Sequence, residues 1–407
     1  MSSVMADRVR TAWSGRGPHP LAGRTILQIV PHLDMGAGGH ATIEIAEALA
    51  GVGARAAVAC AGGRLVPELQ AKGGVWLPFP AHTKNPLAMA LNQAKLADLI
   101  GREGVALVHA RSRAPAWVAY GATRRTRTPF VTTFLGVESG LGAFRRNYNA
   151  VMTKGDVVIA NSAFTARHIA DLYPAAAEHI RIVEPGIELN RFNPSTVDWG
   201  RVLNLRRAWN LTTEERIVLL PARLSPRKGH LVLIEAARLL TAAGVKGVKF
   251  ILAGEEQGRG GYVKEVDALI AKTGLGHVVV RTGHCDDMPA ALLAAAVVAV
   301  PSTEPEALGR VAAEAQAVGT PAVVSDIGAL GEIIAAPPDV ELSARTGWRV
   351  PPGDAHALAT ALYDVLTLGA SAREALSMRA RSRALARFSI TRMQAETLAA
   401  YSALTGA

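Results

Sequence analysis

The sequence predicts an α/β protein made of two doubly wound domains, each a parallel sheet covered by helices. Three observations carry this expectation. The chain has 407 residues, more than a single hydrophobic core usually organises. Short runs rich in Val, Ile, Leu and Phe alternate with longer helix-periodic segments, which is how strands buried on both faces read. The alternation stops in a polar stretch after Asn190 and then begins again.

In the first half the strand-like runs are ILQIVP, AAVACAG, VWLPFP, ALVHAR, FVTTFL, VVIANS and IRIVEPGI; in the second they are IVLLPAR, KFILAG, VVVRTG, AVVAVPS and PAVVSD. Helical patterns separate them, as βα crossovers require. Asn193, Pro194 and Ser195 break the pattern, so the segment from Asn190 to Leu211 reads as a hinge. The expected organisation is a loose extension over 1–22, a first domain over 23–195, a second over 196–385 and a helical segment over 386–407. Open α/β sheets bind ligands at the carboxyl ends of their strands, so two facing sheets are expected to share an interdomain cleft.

Composition narrows the function classes. With 49% hydrophobic and 19% charged residues the chain reads as globular. Its two cysteines, Cys60 and Cys285, lie far apart and form no disulfide framework, which fits a reducing cytoplasm. The N-terminus carries arginines without the apolar segment of an export signal. The apolar run from Ala290, AALLAAAVVAVP, falls short of the roughly 20 residues a membrane span needs, so any membrane contact is expected to be peripheral. Net charge is +10 and lopsided: residues 1–200 hold 21 Lys and Arg against 14 Asp and Glu, the remainder 23 against 20. Arg124, Arg125, Arg127, Arg145 and Arg146 cluster within that excess. They read either as a solvated face or as a surface for an anionic membrane or phosphorylated acceptor. Nucleic acid is not expected, because no helix-turn-helix, zinc finger or aromatic RNA-binding signature accompanies the charge.

Three motifs follow strands. After ILQIVP, the loop HLDMGAGGH holds Gly36, Gly38 and Gly39 before a helical pattern. Glycines let backbone N–H groups approach a phosphate at a helix start, although a tight strand-to-helix turn accounts for them equally well. A dinucleotide fingerprint is incomplete, since Ala41 fills the slot of its last glycine. After IVLLPAR come Arg223, Arg227 and Lys228. Arg223 and Lys228 bracket the turn and suit a diphosphate, and Arg227 reads as a surface charge. After AVVAVPS come Glu306 and Glu314, with Pro305 and Gly309 placing the first in a loop and the second inside a helix. Carboxylates accept hydrogen bonds from vicinal hydroxyls, so the pair reads as two contacts along one elongated ligand. A helix carboxylate satisfied by backbone donors is the plain alternative for Glu314.

In combination, ARLSPRKG followed by PSTEPEALGRVAAEAQAVGTPAVVSDIGALGEII resembles the donor-binding half of the retaining glycosyltransferases of family 4, whose fold is GT-B and whose hallmark is two glutamates eight positions apart. GAGGH, PGIELNRFNP and LAGEEQGRGG extend the resemblance along nearly the whole chain. It implies a nucleotide-diphosphate sugar as donor, a glycan or lipid-linked acceptor, and a role in cell-envelope polysaccharide or lipopolysaccharide assembly. It also implies chemistry without a metal or other cofactor. Carried onto this sequence, Arg223 and Lys228 hold the diphosphate and Glu306 the donor sugar. Glu314 holds the ribose, with Gly254, Leu308 and Gly309 beside the nucleotide and phosphates, and Gly38 and Gly39 close on the diphosphate from the first domain. The segment His284, Cys285 and Asp286 lies by the base. His109 and Arg111 are the acceptor-side candidates, and the last helix crosses back to the first domain. Arg379, Arg381, Arg383 and Arg387 on the C-terminal helices either solvate them or extend a basic membrane-facing surface. One departure stands out: Leu135 occupies a position where many relatives carry histidine. It keeps open a non-catalytic sugar-nucleotide or membrane-binding module, beside a GT-B sugar-nucleotide epimerase. A nicotinamide oxidoreductase is more distant, having no use for the four charged residues of the second half.

Overall fold

A computed structural model describes residues 17–34, 36–134, 136, 142–256, 258 and 260–406. The chain divides into two units: Met1–Gly186 with Ile390–Ala407, and Ile187–Ser389. The first holds β1 (Thr25–Ile29), β2 (Arg55–Cys60), β3 (Val75–Pro78), β4 (Val105–Ala110), β5 (Phe130–Phe134), β6 (Val157–Ala160) and β7 (Ile180–Ile182). These pair in parallel in the order β3-β2-β1-β4-β5-β6-β7. The second holds β8 (Arg216–Pro221), β9 (Val248–Ala253), β10 (Val279–Gly283), β11 (Val297–Val300), β12 (Ala322–Ser325) and β13 (Trp348–Val350). Their order, β10-β9-β8-β11-β12-β13, again all parallel, repeats the same winding. Every strand-like run read from the sequence is a strand here. The edge strand β13, Trp-Arg-Val, was not foreseen.

Successive strand residues alternate between two buried faces, which explains the continuous apolar runs. In the first unit Ile26, Val58 and Leu107 pack towards the helices Ala37–Gly51 and Ile390–Leu404. Leu27, Val108 and Phe130 pack towards Pro86–Arg102 and Arg113–Thr126. The second unit repeats the plan: Val218, Phe250 and Val297 face His230–Ala242 and Ala355–Leu366, and Ile217, Ile251 and Val298 face Arg310–Val318.

Three expectations are corrected. The supposed hinge from Asn190 to Leu211 belongs wholly to the second unit: Phe192, Trp209 and Leu211 are buried in its core, and Val202 packs with Val197 and Ala290. The glycines after β1 do not form a free loop, because the helix already begins at Ala37 and takes Gly38 and Gly39 into its first turn. The C-terminal arginines satisfy carbonyls within the second unit. Arg379 donates to the Arg345 carbonyl, Arg383 to those of Ile333 and Glu332 and Arg387 to that of Glu332. Arg381 donates to the Asn193 side chain. Guanidinium groups bound to orphan carbonyls are structural fastenings, so Arg379, Arg383 and Arg387 do more than solvate their helix.

Candidate functional site

In a doubly wound sheet ligands bind where the strand order reverses, here between β8 and β11 in the second unit. Beyond β8 the chain turns through Pro226–Lys228 to Gly229, whose φ of 72° favours glycine. A Cβ at Gly229 would run into the Pro301 carbonyl, so the turn lies directly on the end of β11. That contact brings Lys228 to Glu306, with Nζ 2.6 Å from Oε1, and Ser302 Oγ donates to the same carboxylate oxygen. The two side chains are 21% and 13% exposed. Glu306 lies in the loop before the helix Arg310–Val318, and Glu314 inside that helix, where Pro305 and Gly309 had placed them. Gly309 caps the helix in the left-handed region at φ 64°, and a Cβ there would sit 2.9 Å from Leu330 Cδ2.

A pocket of about 110 Å³ results, lined by Lys228, Glu306, Gly309 and Arg310 above Leu220, Ala299 and Val300. It combines two cations with a helix start that no side chain caps, an arrangement suited to an anion. A phosphate entering there would compete with Glu306 for Lys228 and free the carboxylate to accept hydroxyl hydrogen bonds.

Other expected residues are placed differently. Arg223 is exposed at the loop start, and it is Ala222 that lines the pocket. Arg227, read as a surface charge, instead donates from Nη2 to the Pro305 carbonyl at 3.0 Å, while the Thr303 amide donates to the Arg227 carbonyl. It thus ties the cation turn to the Glu306 loop. Gly254 leaves no room for a Cβ against the Ala222 carbonyl, and it borders a second, open pocket of about 510 Å³ with Leu224, Glu255 and Arg281. Cys285 packs on the apolar core, burial raising its thiol pKa. His284 lies between Glu255 (3.7 Å) and Asp286 (3.2 Å). Leu308 is half-buried in the loop between Glu306 and Gly309. Glu314 is buried, and burial raises its carboxyl pKa although Arg310 opposes the shift. Arg310 and Ser302 were not singled out from the sequence. The four-residue spacing from Arg310 to Glu314 was the available signal for Arg310.

In the first unit Gly38 and Gly39 lie in the opening turn of Ala37–Gly51, where Thr42 Oγ1 donates to the Gly38 carbonyl at 2.8 Å and a Cβ on Gly39 would strike the Asp34 carbonyl. His109 is not available to a substrate. It is fully buried on β4, with Nδ1 2.5 Å from Tyr401 Oη and Nε2 2.6 Å from Thr133 Oγ1. Burial, reinforced by Arg111, holds its pKa well below the usual histidine range, so the ring is neutral and spends both nitrogens inside the fold. Arg111 reaches Gln28 Oε1 with Nε and Nη2, each at 3.2 Å, and also lines a pocket of about 230 Å³ with Ser112, Arg113 and Thr133. Leu135 lies outside the described residues.

Known proteins agree with this architecture. Residues 38–191 match the family model described as Glycosyltransferase Family 4, and residues 203–383 the model described as Glycosyl transferases group 1. The D-inositol 3-phosphate glycosyltransferase of Salinispora arenicola is 35% identical over 189 residues, an alignment spanning 44% of this chain and 42% of that relative. The chain thus spans less than half the length of this curated relative. A solved glycosyltransferase from Rickettsia africae superposes with a TM-score of 0.83 at 29% identity, covering 94% of this chain and 98% of its own. Anabaena Alr3699/HepE, solved with UDP and glucose, shares the fold at a TM-score of 0.77 and 24% identity, covering 92% of this chain and 99% of its own. Matched by one of these models in each half, and wound as two parallel-sheet units, the chain belongs to the family 4 glycosyltransferases of GT-B fold.

Proposed function

We propose that the protein transfers a sugar from a nucleotide-diphosphate sugar to a hydroxyl of a glycan or lipid-linked acceptor, with retention of configuration and without a metal. The observation that carries this reading is the Lys228–Glu306 pair beside the uncapped start of Arg310–Val318, at the reversal point of the second sheet. Lys228, with Arg223 nearby in sequence, takes the negative charge that grows on the diphosphate as the bond from the sugar carbon to the leaving oxygen breaks. Such charge is held more strongly in the transition state than in the ground state. The acceptor oxygen bonds to that carbon from the face the diphosphate leaves, and its proton passes to a phosphate oxygen. Glu306 and Glu314 hold hydroxyls of the donor sugar and ribose. HepE was solved with UDP-glucose, which makes uridine the first base to try.

The outer helices of the first unit support a membrane-surface setting for the acceptor. Leu87, Leu91 and Phe144 are large apolar side chains left exposed, and Arg124, Arg125, Arg145 and Arg146 are exposed as well. Hydrogen bonds from Gln93 to the Trp117 carbonyl and from Trp117 to the Tyr148 carbonyl join the helices that carry them into one layer. Apolar side chains set among arginines suit the surface of an anionic bilayer. Among the described residues no helix is long and apolar enough to cross one.

The test is a thermal-shift titration with UDP, GDP, ADP, TDP and NAD in the presence of EDTA, followed by incubation of the matching nucleotide sugar with lipid-extract acceptors and NMR assignment of the product anomer. Stabilisation by one nucleoside diphosphate and a product of unchanged anomeric configuration support the proposal. Conversion of the donor without acceptor indicates an epimerase, and binding without turnover a binding module. Stabilisation by NAD alone defeats the reading. Co-sedimentation with phosphatidylglycerol vesicles, and not with phosphatidylcholine vesicles, tests the membrane surface.

A further inference from the structure

The helix Arg310–Val318 carries an ion pair that runs from the pocket into the core. Arg310 lines the pocket with Lys228 and Glu306, and its Nε lies 2.7 Å from Glu314 Oε1, four residues along. The arginine side chain is 37% exposed and the glutamate only 8%. Among the described residues Glu314 Oε2 has no hydrogen-bond partner, and neither have the Nη groups of Arg310. With one carboxylate oxygen held by Arg310, the other keeps its capacity to accept hydrogen bonds.

We propose that Arg310 is a positioning residue for donor binding, fixing the Glu314 carboxylate through a single Nε to Oε1 bond so that Oε2 accepts the vicinal hydroxyls of the nucleotide ribose. The inference rests on the donor-site reading above. It assigns Arg310 a task that its place at a helix start does not require, since a cation there opposes the helix dipole.

The charges around Glu314 set how the role shows itself. Arg310 is the near partner; Arg191 acts in the same sense from a greater distance, and Glu188, 3.8 Å from Arg191, acts against it. Lys228 and Glu306 pair with one another at the pocket wall. With Arg310 removed, burial is left to favour the protonated carboxyl. A protonated carboxyl offers one acceptor fewer, so affinity for the ribose hydroxyls falls as pH falls.

The experiment measures the dissociation constant of the stabilising nucleoside diphosphate, UDP in the first instance, from pH 6.0 to 8.5. It compares wild type, Arg310→Ala, Arg310→Lys and Glu314→Gln. The expected result is a flat wild-type profile and roughly tenfold or greater weakening of Arg310→Ala at pH 6.0, as for a lost hydrogen bond to a charged group. Affinity of that variant recovers towards pH 8.5, Arg310→Lys restores part of it, and Glu314→Gln is weak at every pH. A pH-independent loss in Arg310→Ala overturns the inference in favour of a simple phosphate contact, as does wild-type affinity in that variant. A wild type that binds none of UDP, GDP, ADP and TDP overturns the donor-site reading and this inference with it, so the two failures are told apart.

Discussion

Each sheet reverses its strand order beside its first strand, between β1 and β4 in one unit and between β8 and β11 in the other, yet the two places are furnished differently. In the first unit the polar side chains there bind one another. Gln28 accepts from Arg111 and donates to the Thr42 carbonyl, and His109 is locked between Thr133 and Tyr401. In the second unit Lys228 and Glu306 also meet, but they do so at a pocket, partly exposed, beside a helix start that no side chain caps. Topology marks where a ligand site is possible. The hydrogen-bonding capacity left over after folding is what singles out the second place for the proposed donor site.

The comparison breaks most visibly at Lys228. Lys228→Ala is expected to lower kcat by about 10³-fold, the scale of losing a group that stabilises transition-state charge, with an unchanged circular dichroism spectrum. Activity within tenfold of wild type would move the chemistry away from this pocket. At the corresponding place in the first unit the effect is on folding. His109→Phe leaves the buried Thr133 and Tyr401 hydroxyls without their shared partner and should cost about 3 kcal/mol in urea denaturation. Its kcat/KM should stay within threefold of wild type, whereas a selective rise in acceptor KM would show that the first reversal point also serves a ligand.

The smallest expected effect concerns pH. His109 is held well below the ordinary histidine pKa, and burial brings His230 down to about 4. A histidine whose folded pKa is depressed binds its proton more readily in the unfolded chain, so its contribution to stability is complete above about 6.5 and is lost as pH falls below it. The urea midpoint should therefore decline between pH 7 and pH 5, and less steeply in His109→Phe. Equal slopes in the two proteins would mean that His109 is not buried as neutral imidazole.

What could be read from the sequence follows the range of the interactions involved. Strands such as β1, β2 and β4 were legible because burial on both faces writes itself into five or six consecutive residues. The loop-and-helix placement of Glu306 and Glu314 was legible because Pro305 and Gly309 constrain the backbone locally. The pairing of His109 with Tyr401 was not, since Tyr401 lies 292 positions away on the last helix. Arg227 was read as a surface charge for the same reason: what draws it inward is the Pro305 carbonyl, 78 residues on. The arginines of Ala370–Arg387 looked like a solvated stripe because the carbonyls they bind belong to other elements.

The helix Ile390–Leu404 carries a consequence for biosynthesis. It supplies Met393, Leu398 and Tyr401 to the core of the first unit, yet the ribosome makes it only after the whole second unit, Ile187–Ser389. The domain that begins to form first is thus the last to be completed. During translation its sheet waits with one face partly uncovered, a state in which nascent chains draw chaperones or aggregate. Truncation before Ile390 would make that temporary condition permanent.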